Sequence, residues 1–214
     1  MSFTITSQLY VSYLHTVAAR LRESKDYITS LDAATGDGDH WANLMTGFDA
    51  IEAECSAMES LPLFLVFQKI GMLMMSKVGG SSGILYGGAY MAAAKGLKGK
   101  ESFVDKDFCE ALGLMVQDMM RRGQAEPGFK TMIDALYPAW KTLERGIAEG
   151  WDASSLLDEV KEASVKGAEA TRAMEAVKGR ASYRTDKGVG FLDAGAVTMS
   201  YQIACLCDTI KASL

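Results

Sequence analysis

"SQLYVSYLHTVAARLRESKDYITSLDAATGDGDHWANL", residues 7–44, decides how the rest of the chain is read. Leu9, Tyr13, Leu14, Val17 and Leu21 recur at helical spacing, which predicts an amphipathic helix over 6–28. A polar turn of aspartates and glycines follows over 32–39, and a second helix is predicted over 41–57. Helix, short polar break, helix is the arrangement expected of antiparallel neighbours in a bundle.

The remaining sequence continues in that manner. Pro62 fits the first turn of a third helix that ends near Lys77. "GGSSG" (79–83) opens a fourth, whose small residues permit close packing. A fifth is expected over 105–121, with Asp105 as its N-cap. "RRGQAEPG" (121–128) breaks the chain before a sixth over 128–148, which Pro138 should kink or mark with a local irregularity. Caps at Asp152 to Ser155 precede a seventh over 154–177. "GRASYRTDKGVGFLDAG" (179–195) is a long glycine-bearing loop, and an eighth helix runs over 194–212. Strand-like alternation is scarce, and neither a fixed-period repeat nor a second compositional zone is present. The expectation is an all-α protein: one domain over 1–214, built of eight antiparallel helices.

Composition narrows the function. With 49% hydrophobic residues, the chain can bury a sizeable core. A net charge of −5 argues against work on nucleic-acid phosphates, so no nucleic-acid partner is expected. The four cysteines form no CxxC pair and read as reduced, buried thiols. The N-terminus has neither a basic region nor a long apolar run, which argues against a secretory signal. The richest apolar stretch, 61–80, is interrupted by Pro62, Gln68, Lys69 and Gly71, and reads as a buried helix rather than a membrane span. A cytoplasmic protein with no membrane partner is the expectation.

In an up-and-down array, alternate connections share one end. The loops after the first, third, fifth and seventh helices carry most of the chemistry-bearing residues, and they are all odd-numbered. Asp32, Asp37 and Asp39 are spaced i, i+5, i+7, with glycines at 36 and 38 that let the backbone fold sharply. Such a trio either holds a hard divalent cation through its oxygens, or leaves Asp39 capping the next helix while the other two face water. His40 and Asn43, three apart, share a helix face near its N-terminus. His15 sits mid-helix and reads as structural. "GGSSG" places free N–H groups and the hydroxyls of Ser81 and Ser82 where a phosphate could bind, although an ordinary serine cap has the same signature. The stretch is not a Walker A loop. Arg180 offers a fork of donors to phosphate oxygens, or is a surface charge. Taken together at one end, these residues suit a magnesium–nucleotide. Three aspartates plus a nucleoside diphosphate carry about −6, which two Mg²⁺ ions would reduce to about −2.

Four ordered blocks, "GDGDH" with Asn43, "VGGSSGILYG", "RRGQAEPGFKTMIDAL" and "GRASY" followed by "DAGA", resemble the family of nucleotide-binding L subunits of bacterial dihydroxyacetone kinase over nearly the whole chain. The resemblance implies a barrel of eight antiparallel amphipathic helices with ADP or ATP at one end. It implies that Asp32, Asp37 and Asp39 hold two Mg²⁺ ions and act with Arg180 in phosphoryl transfer. It implies that His40, Asn43, Ser81, Ser82, Gly123, Met132, Arg180, Asp193 and Gly195 bind the nucleotide. The partners it implies are a K subunit holding dihydroxyacetone and a phosphohistidine-bearing M subunit that recharges ADP. Trp41 stands where the family has a small residue and Ala194 where it has proline. The first is expected to narrow the pocket, and the second to loosen the start of the last helix. Two rival readings are an ATP-dependent kinase subunit acting on another small ketose, and a nucleotide-loaded regulatory module that binds a transcriptional regulator. A purely structural bundle is a third.

Overall fold

The computed structural model describes residues 2–214. Ten α-helices make up the described chain: α1 (Ser7–Glu23), α2 (Lys25–Thr35), α3 (His40–Glu52), α4 (Cys55–Met58), α5 (Leu63–Lys77), α6 (Gly80–Gly96), α7 (Asp105–Gly123), α8 (Ile133–Glu149), α9 (Ala153–Ala170) and α10 (Ala194–Lys211). Two 3₁₀ turns, Thr171–Ala173 and Arg180–Tyr183, lie between α9 and α10. The only strands among the described residues are β1 (Thr4–Ile5) and β2 (Phe103–Val104), an antiparallel pair with Ile5 opposite Phe103.

Eight of the helices close into a ring. Contacts run from α1 to α3, α5, α6, α7, α8, α9 and α10, and α10 returns to α1. The ring encloses one continuous apolar cluster. Phe67 lies at its middle, with the rings of Tyr10, Tyr90 and Phe103 centred 4.8–5.2 Å away. Buried hydroxyls are paired: Tyr10 with Tyr90 at 2.8 Å, and Tyr86 accepting from Gln202 at 2.9 Å. No helix among the described residues is long and apolar enough to cross a membrane.

Missing side chains set two of the crossings. A Cβ at Gly87 would collide with Met75 on α5, and one at Gly71 would press on the Gly87 carbonyl, so α5 and α6 approach backbone to backbone. Gly167 of α9 likewise lies against the Asp134 carbonyl of α8. That carbonyl is the one Pro138, four residues on, cannot serve with an N–H. Pro138 lies inside α8 without ending it.

Several boundaries differ from the sequence expectation. The first predicted helix is two: α1 ends at Glu23 and α2 continues to Thr35, so Asp32 belongs to a helix and not to the turn. At the break, the Trp41 indole donates to the Leu21 carbonyl at 2.8 Å, satisfying an acceptor in the last turn of α1. The second predicted helix divides into α3 and the single turn α4. Asp105 is the first residue of α7 rather than its cap; Val104 holds that position, and its N–H donates to Asp107 at 3.3 Å. The sixth helix starts at Ile133 instead of 128, because the Asp134 carboxylate draws the Gly128 and Thr131 amides into a tight turn. The seventh ends at Ala170, leaving 174–177 irregular. None of these changes reverses the helix order. α2 lies between α1 and α3 at the end carrying the aspartates, and α4 lies between α3 and α5 at the other end.

Candidate functional site

The four odd-numbered connections line one cavity of about 590 Å³. All twelve residues singled out in the sequence border it: Asp32, Asp37, Asp39, His40, Asn43, Ser81, Ser82, Gly123, Met132, Arg180, Asp193 and Gly195.

The acidic corner is built by α2, the turn 36–39 and the start of α3. Carboxylate oxygens of Asp32, Asp37 and Asp39 lie within 4.8 Å of one another. Asp32 is placed by its helix, and its Oδ2 accepts from the His40 amide at 3.0 Å, so it is Asp32 that caps α3. Asp39 stands at the cap position but makes no such bond and is exposed. The capping role that the sequence left open for Asp39 is thus taken by another residue. Gly36 is required here for space, since a side chain at that position would strike the Asp32 carboxylate. Asp37 forms an ion pair with Arg180, which reaches over from the long loop. Three carboxylates this close, with one partnering arginine, form an all-oxygen donor set of the type that hard divalent cations take.

His40 is held on α10: its Nε2 and the Thr198 hydroxyl are 2.9 Å apart. That hydroxyl donates to the Gly195 carbonyl at 3.1 Å, so the imidazole donates to it through Nε2–H. Burial lowers the His40 pKa against the opposing pull of Asp32 and Asp39, which favours the neutral ring. Asn43 faces the turn between α5 and α6, where a side chain at Gly79 would meet its Oδ1.

At that turn Gly79 occupies the N-cap, and Gly80 begins α6 with φ of +66°, a conformation suited to glycine. Ser81 and Ser82 lie inside the first turn rather than at the cap, so neither is a serine cap. The early amides of α6 have no intrahelical acceptor, which makes this rim positive. Gly83 follows because a Cβ there would run into the Val78 carbonyl.

The opposite wall comes from the ends of α7, α8 and α10. Gly123 closes α7 and Met132 caps α8. Asp193 caps α10 by accepting from the Ala196 amide at 2.7 Å, while its own amide donates to Thr171 Oγ1 at 3.0 Å. Burial pushes the Asp193 carboxyl up to about 6, partly opposed by the Ala196 hydrogen bond and by Lys130. Gly195 lies so close to Asp193 and Met132 that a side chain would fill the space between them.

Two expectations drawn from the departures are corrected. Trp41 does not border the cavity. It turns toward the α1–α2 break, with Lys25 4.9 Å above its ring, and does not narrow the pocket. Ala194 does not loosen α10, which begins at that residue under the Asp193 cap. His15 pairs with Glu52 at 3.1 Å on the outer surface, away from the cavity.

Sequence reasoning passed over Arg122, Lys130 and Lys178, three further cations at the wall. Arg122 is steadied by Asp118, which accepts from its Nε at 2.6 Å. Lys130 is buried, and its ammonium donates to the carbonyls of Thr171 and Phe191. A lysine in a loop reads as solvated; the only signal was its place between Gly128 and Asp134, both of which fold the turn around it.

A closed ring of helices with an acidic, glycine-rimmed cavity at one end defines an all-α protein whose cavity is built from helix ends and the connections between them. Residues 34–208 match the DAK2 domain, and the chain belongs to that family. It is 33% identical over 203 residues to the ADP-binding subunit DhaL of PEP-dependent dihydroxyacetone kinase 1 from Listeria innocua, covering 92% of this chain and 93% of that protein. It is 32% identical to human triokinase/FMN cyclase, over 92% of this chain and 34% of that protein. The dihydroxyacetone kinase of C. freundii, solved in complex with AMP-PNP and Mg²⁺, superposes with a TM-score of 0.71 at 26% identity, covering 92% of this chain. The chain spans about a third of that kinase's length, 33%.

Proposed function

We propose that residues 1–214 form one nucleotide-binding unit, the ADP-binding subunit of a dihydroxyacetone kinase. It transfers a phosphoryl group from bound nucleotide to dihydroxyacetone held on a separate K subunit, and a phosphohistidine on an M subunit recharges the nucleotide. The reading is supported by relatives of nearly equal length that are named as such subunits. The observation that carries it is the clustering of Asp32, Asp37 and Asp39 within 4.8 Å, beside the N-terminus of α6 and under Arg180.

The donor set fits Mg²⁺, and two ions at these carboxylates would offset the charge of a nucleoside diphosphate. Bound metal would neutralise charge on the phosphate oxygens in transfer. The chain's own residues do the positioning. The α6 amides with Ser81 and Ser82 hold phosphate oxygens. Asn43, Gly123, Met132 and Gly195 shape the space for the rest of the nucleotide. Arg180 offers the phosphoryl group a fork of donors, and the Asp37 pairing keeps that fork at the acidic corner. His40, neutral and tied to Thr198 through Nε2, keeps Nδ1 as a hydrogen-bond acceptor at the cavity wall. In this reading the acceptor hydroxyl's proton is taken on the K subunit that holds dihydroxyacetone.

The experiment is to purify the chain without added nucleotide, identify what remains bound, and assay it with a K subunit and dihydroxyacetone. Retained ADP, and product formed with a phosphohistidine donor, support the reading. The likeness to single-chain triokinase favours one alternative, an ATP-dependent kinase unit acting on another small ketose. Free exchange of nucleotide and product formed from ATP alone would favour that alternative. Absence of product with every donor would overturn both.

A further inference from the structure

The connection between α9 and α10 carries Arg180 and Asp193, and one side chain joins its two ends. Lys130 is 2% exposed and sits with a backbone φ of +60°, a conformation rarely adopted by lysine. Asp134 holds it there by accepting from the amides of Gly128 and Thr131 on either side. The Lys130 ammonium donates to the Thr171 carbonyl, where the connection leaves α9. It donates also to the Phe191 carbonyl at 2.6 Å, just before α10 begins. Thr171 in turn accepts from the Asp193 amide, and the Val177 amide donates to the carbonyl of Phe129, the neighbour of Lys130. A side chain at Gly188 would meet the Lys130 stem, so the connection folds back onto the lysine along its length. Further ties to the body are the Arg180–Asp37 ion pair and the half-buried Arg184, which donates to the Ala34 carbonyl at 3.0 Å.

We propose that Lys130 is a positioning residue: by binding both ends of the 171–193 connection, it sets Arg180 over the acidic cluster. A cation donating to two buried carbonyls is worth more than a neutral pair, and its removal leaves both acceptors unsatisfied. The inference rests on the reading of Arg180 as a phosphate ligand, and the test separates the two.

Four variants are compared: K130M, K130R, R180A and K130M/R180A. Hydrogen exchange is followed in nucleotide-free protein, and Mg–ADP affinity by calorimetry. In K130M, amides of 172–190 are expected to exchange faster by about tenfold or more while those of α5 and α6 are unchanged. K130R, which keeps the cation, restores much of the protection. Both K130M and R180A weaken Mg–ADP binding, and the double variant binds no more weakly than R180A. Unchanged exchange over 172–190 in K130M overturns the proposal. So do losses that multiply in the double variant, since those would mean that Lys130 acts on stability and not through Arg180. Where K130M does not fold, K130Q is measured in its place against the same criteria. If R180A alone leaves affinity unchanged while K130M still frees the connection, it is the role of Arg180 that fails, and Lys130 remains the anchor of that connection.

Discussion

At the scale of single residues, the site is an arrangement of charges that require one another. Asp37 belongs both to the acidic trio and to the pair with Arg180. Saturation at about 1,000 times Kd should stabilise the wild type by about 4 kcal/mol. Asp37→Asn should lose most of that gain in a melting experiment with Mg–ADP; an equal shift in both proteins would contradict the assignment. Asp193 gives a pH signature. Its pKa is about 6 in the folded chain against 3.8 ordinarily, so its contribution to stability is complete below pH about 4. That contribution is lost as pH rises through 6, because the buried carboxyl must then ionise in place. Urea titrations between pH 4 and 7 should show the wild type losing about 1–3 kcal/mol relative to Asp193→Asn, which keeps an acceptor for the α10 cap. A flat difference would show that Asp193 titrates normally. Trp41→Phe should cost about 1 kcal/mol, from loss of the Leu21 hydrogen bond, and leave Mg–ADP affinity unchanged. A changed affinity would mean that the tryptophan reaches the nucleotide.

At the scale of elements, glycines separate two kinds of constraint. Gly83 is excluded from bearing a Cβ by the Val78 carbonyl at the α5–α6 turn, whereas Gly80 has open space around it but a left-handed backbone. Gly83→Ala should therefore cost about 1–3 kcal/mol from overpacking and displace the start of α6, weakening nucleotide binding. Gly80→Ala should cost about 1 kcal/mol through its backbone conformation. Chemical denaturation and calorimetry on both variants check the contrast, and equal effects on affinity would sink it. Helix interiors were legible here because apolar spacing marks them, as Leu9 to Leu21 do in α1. Helix ends were less so. The break at Ser24, the late start of α8 and the cap of α3 depend on Trp41, Asp134 and Asp32, side chains that act across space or from a neighbouring element.

At the scale of the molecule, the ring is closed through α1 and α10, so chain ends and cavity share one core. Binding at the cavity ties the turn 36–39, the start of α6 and the 171–193 connection together, and should stabilise the whole fold instead of one loop. Excess chelator should therefore abolish the rise in Tm that ADP produces, since the diphosphate then meets uncompensated carboxylates. A rise in Tm that survives chelation would show that the aspartates do not need metal. That the four connections meet at one cavity was expected from counting them, whereas Gly123, Met132, Asp193 and Gly195 were candidates by resemblance. The count survived two additional helices because α2 falls within a connection at the cavity end and α4 within one at the other end.

Apolar periodicity, glycine-rich breaks and the order of four motifs were enough to determine an all-α chain, the number of long helices and the end at which the acidic residues gather. These are local or combinatorial properties, written in spacing. Tertiary structure alone decided that Asp32 and not Asp39 caps α3, that Trp41 faces away from the cavity, and that Lys130 is buried beneath the Arg180 connection. Each depends on which group from a distant segment satisfies a buried polar atom. That choice is made by packing and desolvation, which no spacing of residues along the chain encodes.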